Sequence, residues 1–249
     1  MTLGNLVGIP TPTPTPIKLP VPGNPPMSPL PVTEEGARYA LLQRLMPALQ
    51  HQVMGNFQSL DMIAVMMERH LQPATPDLAS MRGDCALLGS VSQAAVQSVV
   101  NLMAWVRPQL DSGLAFDAGV AECAKVLGAE LQFRGFVVVN EVVQVDALAV
   151  AMVSGRAVRS VLSAALIFLS DQSPVPASLV MRAHALPARI ELSIDLIPNG
   201  QPAGNAATGS YRLLDWQDVE ALAAAESAEL VRSNTGIQLS FLRLAVSLV

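Results

Sequence analysis

Two long stretches of the chain repeat apolar residues at steps of three and four, which is the spacing of an amphipathic helix. The first predicted helix spans about residues 34–70. Thr33 can cap it, and Glu34 and Glu35 favour its positive first turn. Its apolar stripe consists of Leu42, Leu45, Leu49, Val53, Phe57, Leu60, Ala64, Met67 and Leu71.

The second predicted helix begins at Thr75, Pro76 and Asp77, with proline at the first helical position, and continues to about Arg107. Its stripe consists of Leu78, Met81, Cys85, Leu88, Val91, Ala95, Val99, Leu102 and Val106. The short turn between the two helices predicts an antiparallel hairpin. A single hairpin cannot bury two continuous stripes, so we expect a homodimer in which two hairpins form a four-helix bundle.

After Pro108 the pattern changes to shorter, mixed elements. We expect helices over residues 116–127, 146–169 and 216–232, with Gly155 as a point where the second can break. We expect strands over residues 136–139, 178–184, 189–196 and within 237–249, and a loop over 198–210. This order predicts an α+β fold, in which helices cover one face of a sheet as a small α/β sandwich.

The N-terminal residues 1–32 contain ten of the nineteen prolines of the chain, which predicts an extended arm without a core. The chain is therefore divided into a Pro-rich arm (1–32), a helical hairpin (33–108) and an α/β domain (109–249).

Composition narrows the classes of function. The net charge of −5, without a basic cluster, argues against a nucleic-acid partner. Residues 86–106 carry no charge, but polar residues recur through them, which suits a helix packed against protein better than a membrane span. No signal-peptide pattern is present, so we expect a cytoplasmic protein. Cys85 and Cys123 have no metal-like spacing and are expected to be reduced thiols.

One histidine has a position that suggests chemistry. His51 lies two residues from both Leu49 and Val53, about 200° around the first helix from their stripe, so it should face solvent. Its own face carries Arg44, Ala48, Gly55 and Gln58. A glycine inside a helix costs about 1 kcal/mol relative to alanine, and an open approach to His51 would explain that cost. An ordinary exposed histidine fits the same position.

The hairpin with its exposed His51, followed by a mixed domain, resembles the core of bacterial two-component histidine kinases over about residues 34–249. That family usually has an acid after the phosphoacceptor histidine, where this chain has Gln52. Its asparagine box would fall within residues 158–170, yet no Asn occurs from residue 141 to 198. Its first glycine box would begin at Asp195, which is followed by Leu196, Ile197 and Pro198, and near the last predicted helix the only glycine is Gly236.

This combination is similar to histidine phosphotransferases whose ATPase-like domain is degenerate. The resemblance implies that His51 accepts a phosphoryl group from the aspartate of one receiver domain and returns it to another. The receiver would supply Mg²⁺, so the chain is expected to hold no cofactor or metal of its own. Arg44 would pair with the acidic rim of a receiver, Gln52 or Asn56 would orient the ring, and Ala48, Gly55 and Gln58 would complete the docking face.

Two alternatives stay open at this point. One is a non-catalytic dimeric scaffold or pseudokinase that binds a receiver domain or a kinase. The other is an active kinase with an unusual nucleotide site. The other two histidines suit ordinary roles, His70 at the negative end of the first helix and His184 at the end of a strand.

Overall fold

Two long helices form the predicted antiparallel hairpin in the computed structural model, which describes residues 33–72, 77–106, 113–142, 148, 150–200 and 212–244. They are α1 (Glu34–Leu71) and α2 (Leu78–Val106). His70 contacts Asp84 near the turn, and Asn56 contacts Ser98 about four turns further from it, so the two helices run antiparallel.

The first helix starts where its capping residue predicts, whereas the second starts at Leu78, two residues later than the expected Pro76. The Thr33 side chain accepts a hydrogen bond from the Gly36 backbone N at 3.1 Å, as a capping residue should. At the second helix the expected start at Thr75 and Pro76 lies outside the described residues. The side chain of Asp77 accepts from the backbone N of Ala79 and of Ser80, both at 3.1 Å, so Asp77 is the capping residue.

Only the end of the hairpin opposite its turn is buried against the rest of the chain. The early turns of α1 pack against helices that follow later in the sequence, through Ala37, Ala40, Leu41, Leu45 and Leu49. Beyond Leu49 the only buried apolar residue of α1 is Ile63, and the side chain of Phe57 is exposed.

α2 is the one described helix long and apolar enough to cross a membrane by length and composition, with a mean hydropathy of 1.3.

The remaining elements form an α+β layer, as predicted. Its helices are α3 (Phe116–Phe133), α4 (Gly155–Ala157), α5 (Ser163–Gln172) and α6 (Trp216–Ala225). A π-helical segment, Val158–Leu162, joins α4 to α5, and the three together are called the composite helix below. The strands are β1 (Gly113–Ala115), β2 (Val137–Asn140), β3 (Met152–Ser154), β4 (Ala177–Ala185), β5 (Arg189–Pro198), β6 (Glu229–Arg232) and β7 (Gly236–Leu242).

Five strands form the main sheet in the order β2-β4-β5-β7-β6, while β1 and β3 form a separate antiparallel pair. β2 runs parallel to β4, and the other pairs are antiparallel. Along β5, Ile190, Leu192 and Ile194 are buried and their neighbours are partly exposed. This alternation places the helices on one face of the sheet and leaves the other to solvent.

Three predicted helices differ from the structure. The helix predicted over residues 116–127 continues to Phe133. The helix predicted over residues 146–169 is interrupted, because Met152–Ser154 forms β3 and a helix starts after it at Gly155, where the Ser154 side chain accepts from the Ala157 backbone N. The helix predicted over 216–232 ends at Ala225. Ser227 has a positive φ of 53° there, and the chain turns back to add β6 to the edge of the sheet.

The residues Val32–Val249 form one compact unit that includes both the hairpin and the layer. The Pro-rich arm predicted over residues 1–32 lies outside the described residues.

Candidate functional site

His51 lies near the middle of α1 with an exposed side chain, as the apolar pattern predicts. Leu49 on one side of it is buried in the core, and Val53 is partly buried. Within the part of the chain that the structure describes, the ring of His51 makes no hydrogen bond.

The surface beside His51 is open. A Cβ placed on Gly55 meets no atom within 4 Å among the described residues, so the helix is bare on that side. Ala48 is half-buried and packs on the core with its one methyl group, and Gln58 is exposed. Small residues one turn before and one turn after His51 leave room for an approaching loop or helix.

Arg44 does not take the exposed place predicted for it. It lies on the same side of α1 as His51, about 10 Å closer to the N-terminus, but there the α+β layer covers the helix. The side chain of Arg44 is 2% exposed and donates from Nη2 to Asp171 Oδ1 at 3.0 Å. A buried arginine paired within its own chain cannot meet the acidic rim of a partner, so this part of the prediction is wrong.

Asn56 also turns away from the predicted docking face. Its Nδ2 donates to Ser98 Oγ at 2.5 Å, and Ser98 in turn donates to the Ala94 carbonyl at 2.9 Å. Asn56 lies about 140° around the helix from His51. It joins the two helices of the hairpin instead of orienting the ring.

Gln52 lines a groove between α1, α2 and α3 with a volume of about 260 Å³. Leu49, Ser98, Trp105 and Glu122 lie along the same groove. Since neighbouring residues of a helix are 100° apart, Gln52 faces this groove while His51 faces open solvent. Of the six predicted docking residues, Gly55 and Gln58 lie beside His51 on its open side, and Ala48 lies next to them but packs partly on the core.

The other two histidines have the ordinary roles expected of them. His70 Nδ1 lies 2.7 Å from Asp84 Oδ2 and joins the end of α1 to the start of α2. His184 is exposed on the solvent face of the sheet, where its register partner in β5 is Glu191. Neither of them is exposed in the middle of a long helix, as His51 is.

The region where the family resemblance places nucleotide contacts has other roles in this chain. Asp195 Oδ2 pairs with Arg182 Nη1 at 2.9 Å on the solvent face of the sheet, away from the helices. A Cβ on Gly236 would come within 2.0 Å of the Ile194 carbonyl oxygen, so the close approach of β7 to β5 requires this glycine. The composite helix fills the predicted asparagine-box region with buried apolar residues: Val158, Val161, Leu162, Ala164, Ala165, Leu166, Ile167, Phe168 and Leu169.

The described residues contain no cluster of three or more His, Cys, Asp or Glu side chains able to hold a metal ion. Both cysteines are free thiols, Cys85 exposed and Cys123 buried. Burial raises the pKa of Cys123 to about 12. A neutral buried thiol packs as a small apolar side chain and is a poor nucleophile.

No protein-family model matches the chain, and no curated protein matches it. Solved structures to which it is similar are histidine kinase structures and a phosphotransferase. The catalytic domain of the histidine kinase ThkA matches with a TM-score of 0.38 and 7% identity, over 53% of this chain and 94% of that domain. A histidine kinase from Burkholderia phymatum matches with a TM-score of 0.36 and 15% identity, over 79% of this chain and 98% of the other.

A third solved structure, described as a bacterial phosphotransferase, matches with a TM-score of 0.34 and 13% identity. The match covers 81% of this chain and 95% of that protein.

Proposed function

We propose that this protein is a cytoplasmic histidine phosphotransferase of a bacterial phosphorelay, which carries a phosphoryl group on His51 between the aspartates of receiver domains. The observation that carries the proposal is the position of His51. It is exposed in the middle of a long helix, and Gly55 leaves open space beside it.

The proposed phosphoryl transfer requires few catalytic groups from this chain. A lone pair on an imidazole nitrogen attacks the phosphorus of an aspartyl phosphate, and a nitrogen–phosphorus bond forms as the phosphorus–oxygen bond breaks. The carboxylate leaves with that electron pair, and transfer to a second receiver is the reverse reaction. The reaction needs in-line approach and charge neutralisation. We expect the receiver to supply both the Mg²⁺ and most of the charge neutralisation, so an accessible ring is the main requirement on this side.

Three features support a function without ATP. No Asn occurs between residues 141 and 198 to hold a nucleotide-bound Mg²⁺. Asp195 is engaged by Arg182 on the outer face of the sheet. Gly236 serves strand packing. The last two features give positions that would contact a nucleotide in the resembled family another role.

The same function is best served by a homodimer, and the outer faces of the hairpin support one. Apolar side chains that are 45–65% exposed repeat at whole turns along one side of α2: Leu78, Val96 and Met103. On α1, Phe57 and Leu71 are both about half exposed and lie about four whole turns apart on one side of the helix. Exposed apolar residues spread along both helices favour a cover of similar length. A second copy of the hairpin provides it as a four-helix bundle, with the His51 side of each α1 turned outward.

The test is phosphotransfer from purified receiver domains of the same cell, phosphorylated with acetyl phosphate. The native protein should gain phosphate that is labile to acid and stable to base, as a phosphohistidine is. His51→Gln should gain none and keep the mass and helicity of the native protein, because an outward side chain contributes little to packing.

The matched control is His184→Gln, which removes an exposed histidine from the sheet and should leave transfer unchanged. Phosphate on the His51→Gln variant would refute the assignment. If the variant still binds the receiver and supports signalling in cells as well as the native protein does, the protein is a scaffold and no phosphotransferase.

A further inference from the structure

The composite helix carries three charged residues among mostly buried neighbours: Arg156, Arg159 and Asp171. Each of the three belongs to a separate polar cluster that also includes a residue of the hairpin. Together these clusters connect the layer to both α1 and α2, and they are called the bridging clusters below.

The first bridging cluster is centred on Glu226, which follows α6 and whose side chain is 1% exposed. Arg156 Nε donates to one of its carboxylate oxygens at 2.7 Å. Arg38 of α1 donates to the other. Burial alone disfavours the charge of Arg38, but the hydrogen bonds to Glu226 and Glu34 raise its pKa overall. This carboxylate therefore joins the start of the hairpin to the start of the composite helix.

The second bridging cluster is centred on Glu122 of α3. Arg159 donates to both of its carboxylate oxygens, from Nη2 to Oε2 at 2.9 Å and from Nε to Oε1 at 3.0 Å. The indole Nε1 of Trp105, at the end of α2, donates to Oε1 at 3.0 Å. The planar, two-point geometry fixes orientation as well as distance.

The third bridging cluster is centred on Asp171, whose side chain is completely buried. Its Oδ1 accepts from Arg44 of α1 at 3.0 Å and lies 2.8 Å from Nη2 of Arg134 at the end of α3. Arg134 also donates to the Ser170 hydroxyl at 3.0 Å and to its carbonyl at 3.1 Å. Two arginines from different helices thus converge on one carboxylate.

The π-helical segment matters for this arrangement. Arg156 precedes it and Asp171 follows it, and a π turn inserts one residue relative to an α-helix. Without that residue Asp171 would be rotated by about 100° relative to Arg156. The segment therefore sets the register that lets both ends of the composite helix contact α1.

We propose that the three bridging clusters hold the hairpin in one fixed orientation on the layer, so that the two move as a single rigid body. Two of the attachment points lie on α1 about 9 Å apart along its axis and the third lies on α2. Three points that are not in line leave no axis about which the hairpin can turn without separating one cluster. Separating the first or the third cluster takes one of two arginines away from a buried carboxylate, which is costly. Separating the second breaks the hydrogen bond from Trp105 to Glu122. The proposal does not depend on the function proposed for His51.

The experiment measures the distance between a spin label on the hairpin and one on the layer by pulsed electron paramagnetic resonance. Gln58→Cys and Gln238→Cys provide exposed label sites on α1 and β7. Cys85→Ser removes the exposed native thiol, and Cys123 stays buried. Dilution with unlabelled protein suppresses distances between chains. The native arrangement should give one narrow distance distribution, and a broad or two-peaked distribution would overturn the proposal.

The clusters are then tested by the double variant Asp171→Asn and Glu226→Gln. It should broaden the distribution and make amide exchange in residues 37–49 about tenfold faster or more. The matched control, Glu141→Gln with Asp195→Asn, removes the exposed pairs of Arg182 instead and should leave both measurements unchanged. A double variant as narrow as the control shows that the clusters do not hold the hairpin. If the double variant does not fold, the width of the distance distribution in the labelled protein with intact clusters still tests whether hairpin and layer form one rigid body.

Discussion

Gly55 is the residue at which the proposed docking surface is tested most directly. An inserted leucine meets open space, so Gly55→Leu should fold, and the exchange should raise the stability of α1 by about 1 kcal/mol through helix propensity. The same side chain would stand one turn from His51 and block a partner. We expect phosphotransfer to fall at least tenfold while the melting temperature stays level or rises.

Gly83→Leu is the matched control for that variant. Gly83 is also a helix glycine with no atom within 4 Å of an added Cβ, but it lies on α2 near the turn of the hairpin. It should gain similar stability and retain full transfer. Full activity of Gly55→Leu would show that receivers do not approach His51 across this face.

At the scale of the elements, Phe57 tests whether the exposed stripe of the hairpin binds a second copy. Its side chain is 48% exposed in the single chain, so Phe57→Asp should leave the protomer folded. In a four-helix bundle the same aspartate would be an unpaired charge in the interface, which is costly. We expect light scattering to report twice the chain mass for the native protein and a single chain mass for the variant.

Met62→Asp separates this effect from a general effect of charge on α1. Met62 is more exposed than Phe57 and lies on the side of the helix that carries His51. This variant should remain a dimer. A native protein that is monomeric at micromolar concentration would refute the bundle.

The elements that correspond to the nucleotide site of the resembled family predict that the protein does not bind ATP. The composite helix offers buried apolar residues where a nucleotide would need an Asn, and the Asp195 carboxylate is turned to the outer face of the sheet. Titration of the native protein with ATP and Mg²⁺ in a calorimeter should therefore show no saturable heat. A dissociation constant of micromolar order, which corresponds to about −8 kcal/mol, would favour the kinase alternative.

At the scale of the whole molecule, Cys123 reports on opening of the core. It packs between α3 and the composite helix, and burial raises its pKa to about 12, so almost no reactive thiolate exists at pH 8. Iodoacetamide should label the exposed Cys85 within minutes and Cys123 only in denaturant. Because the pKa is raised in the folded state, this thiol also makes stability fall as pH rises from about 9 towards 12.

Cys85 is the internal control for that experiment, since both thiols are in the same chain. Fast labelling of Cys123 without denaturant would mean that α3 separates from the composite helix in the native state. This result would also contradict a rigid arrangement of hairpin and layer, because Glu122 of the second bridging cluster lies next to Cys123 on α3.

The sequence by itself determined the features that depend on neighbours along the chain. The three- and four-residue spacing predicted α1 to within a residue or so, Thr33 was predicted to be its cap, and strands were predicted where β4 and β5 lie. The exposure of His51 also followed from its angle to Leu49 on the same helix. These properties are local, since a helix or strand fixes which residues share a face.

Only the tertiary structure decided what covers each face. Arg44 shares a side of α1 with His51, but a partner 127 residues away buries it, and Arg38 meets a carboxylate 188 residues away. The helical pattern of residues 216–232 likewise ended early because the edge of the sheet offered backbone partners to β6. The repeat of apolar residues determines which side chains share a face of a helix or strand. Whether that face is buried, ion-paired or joined by another strand depends on which distant segment of the chain packs against it.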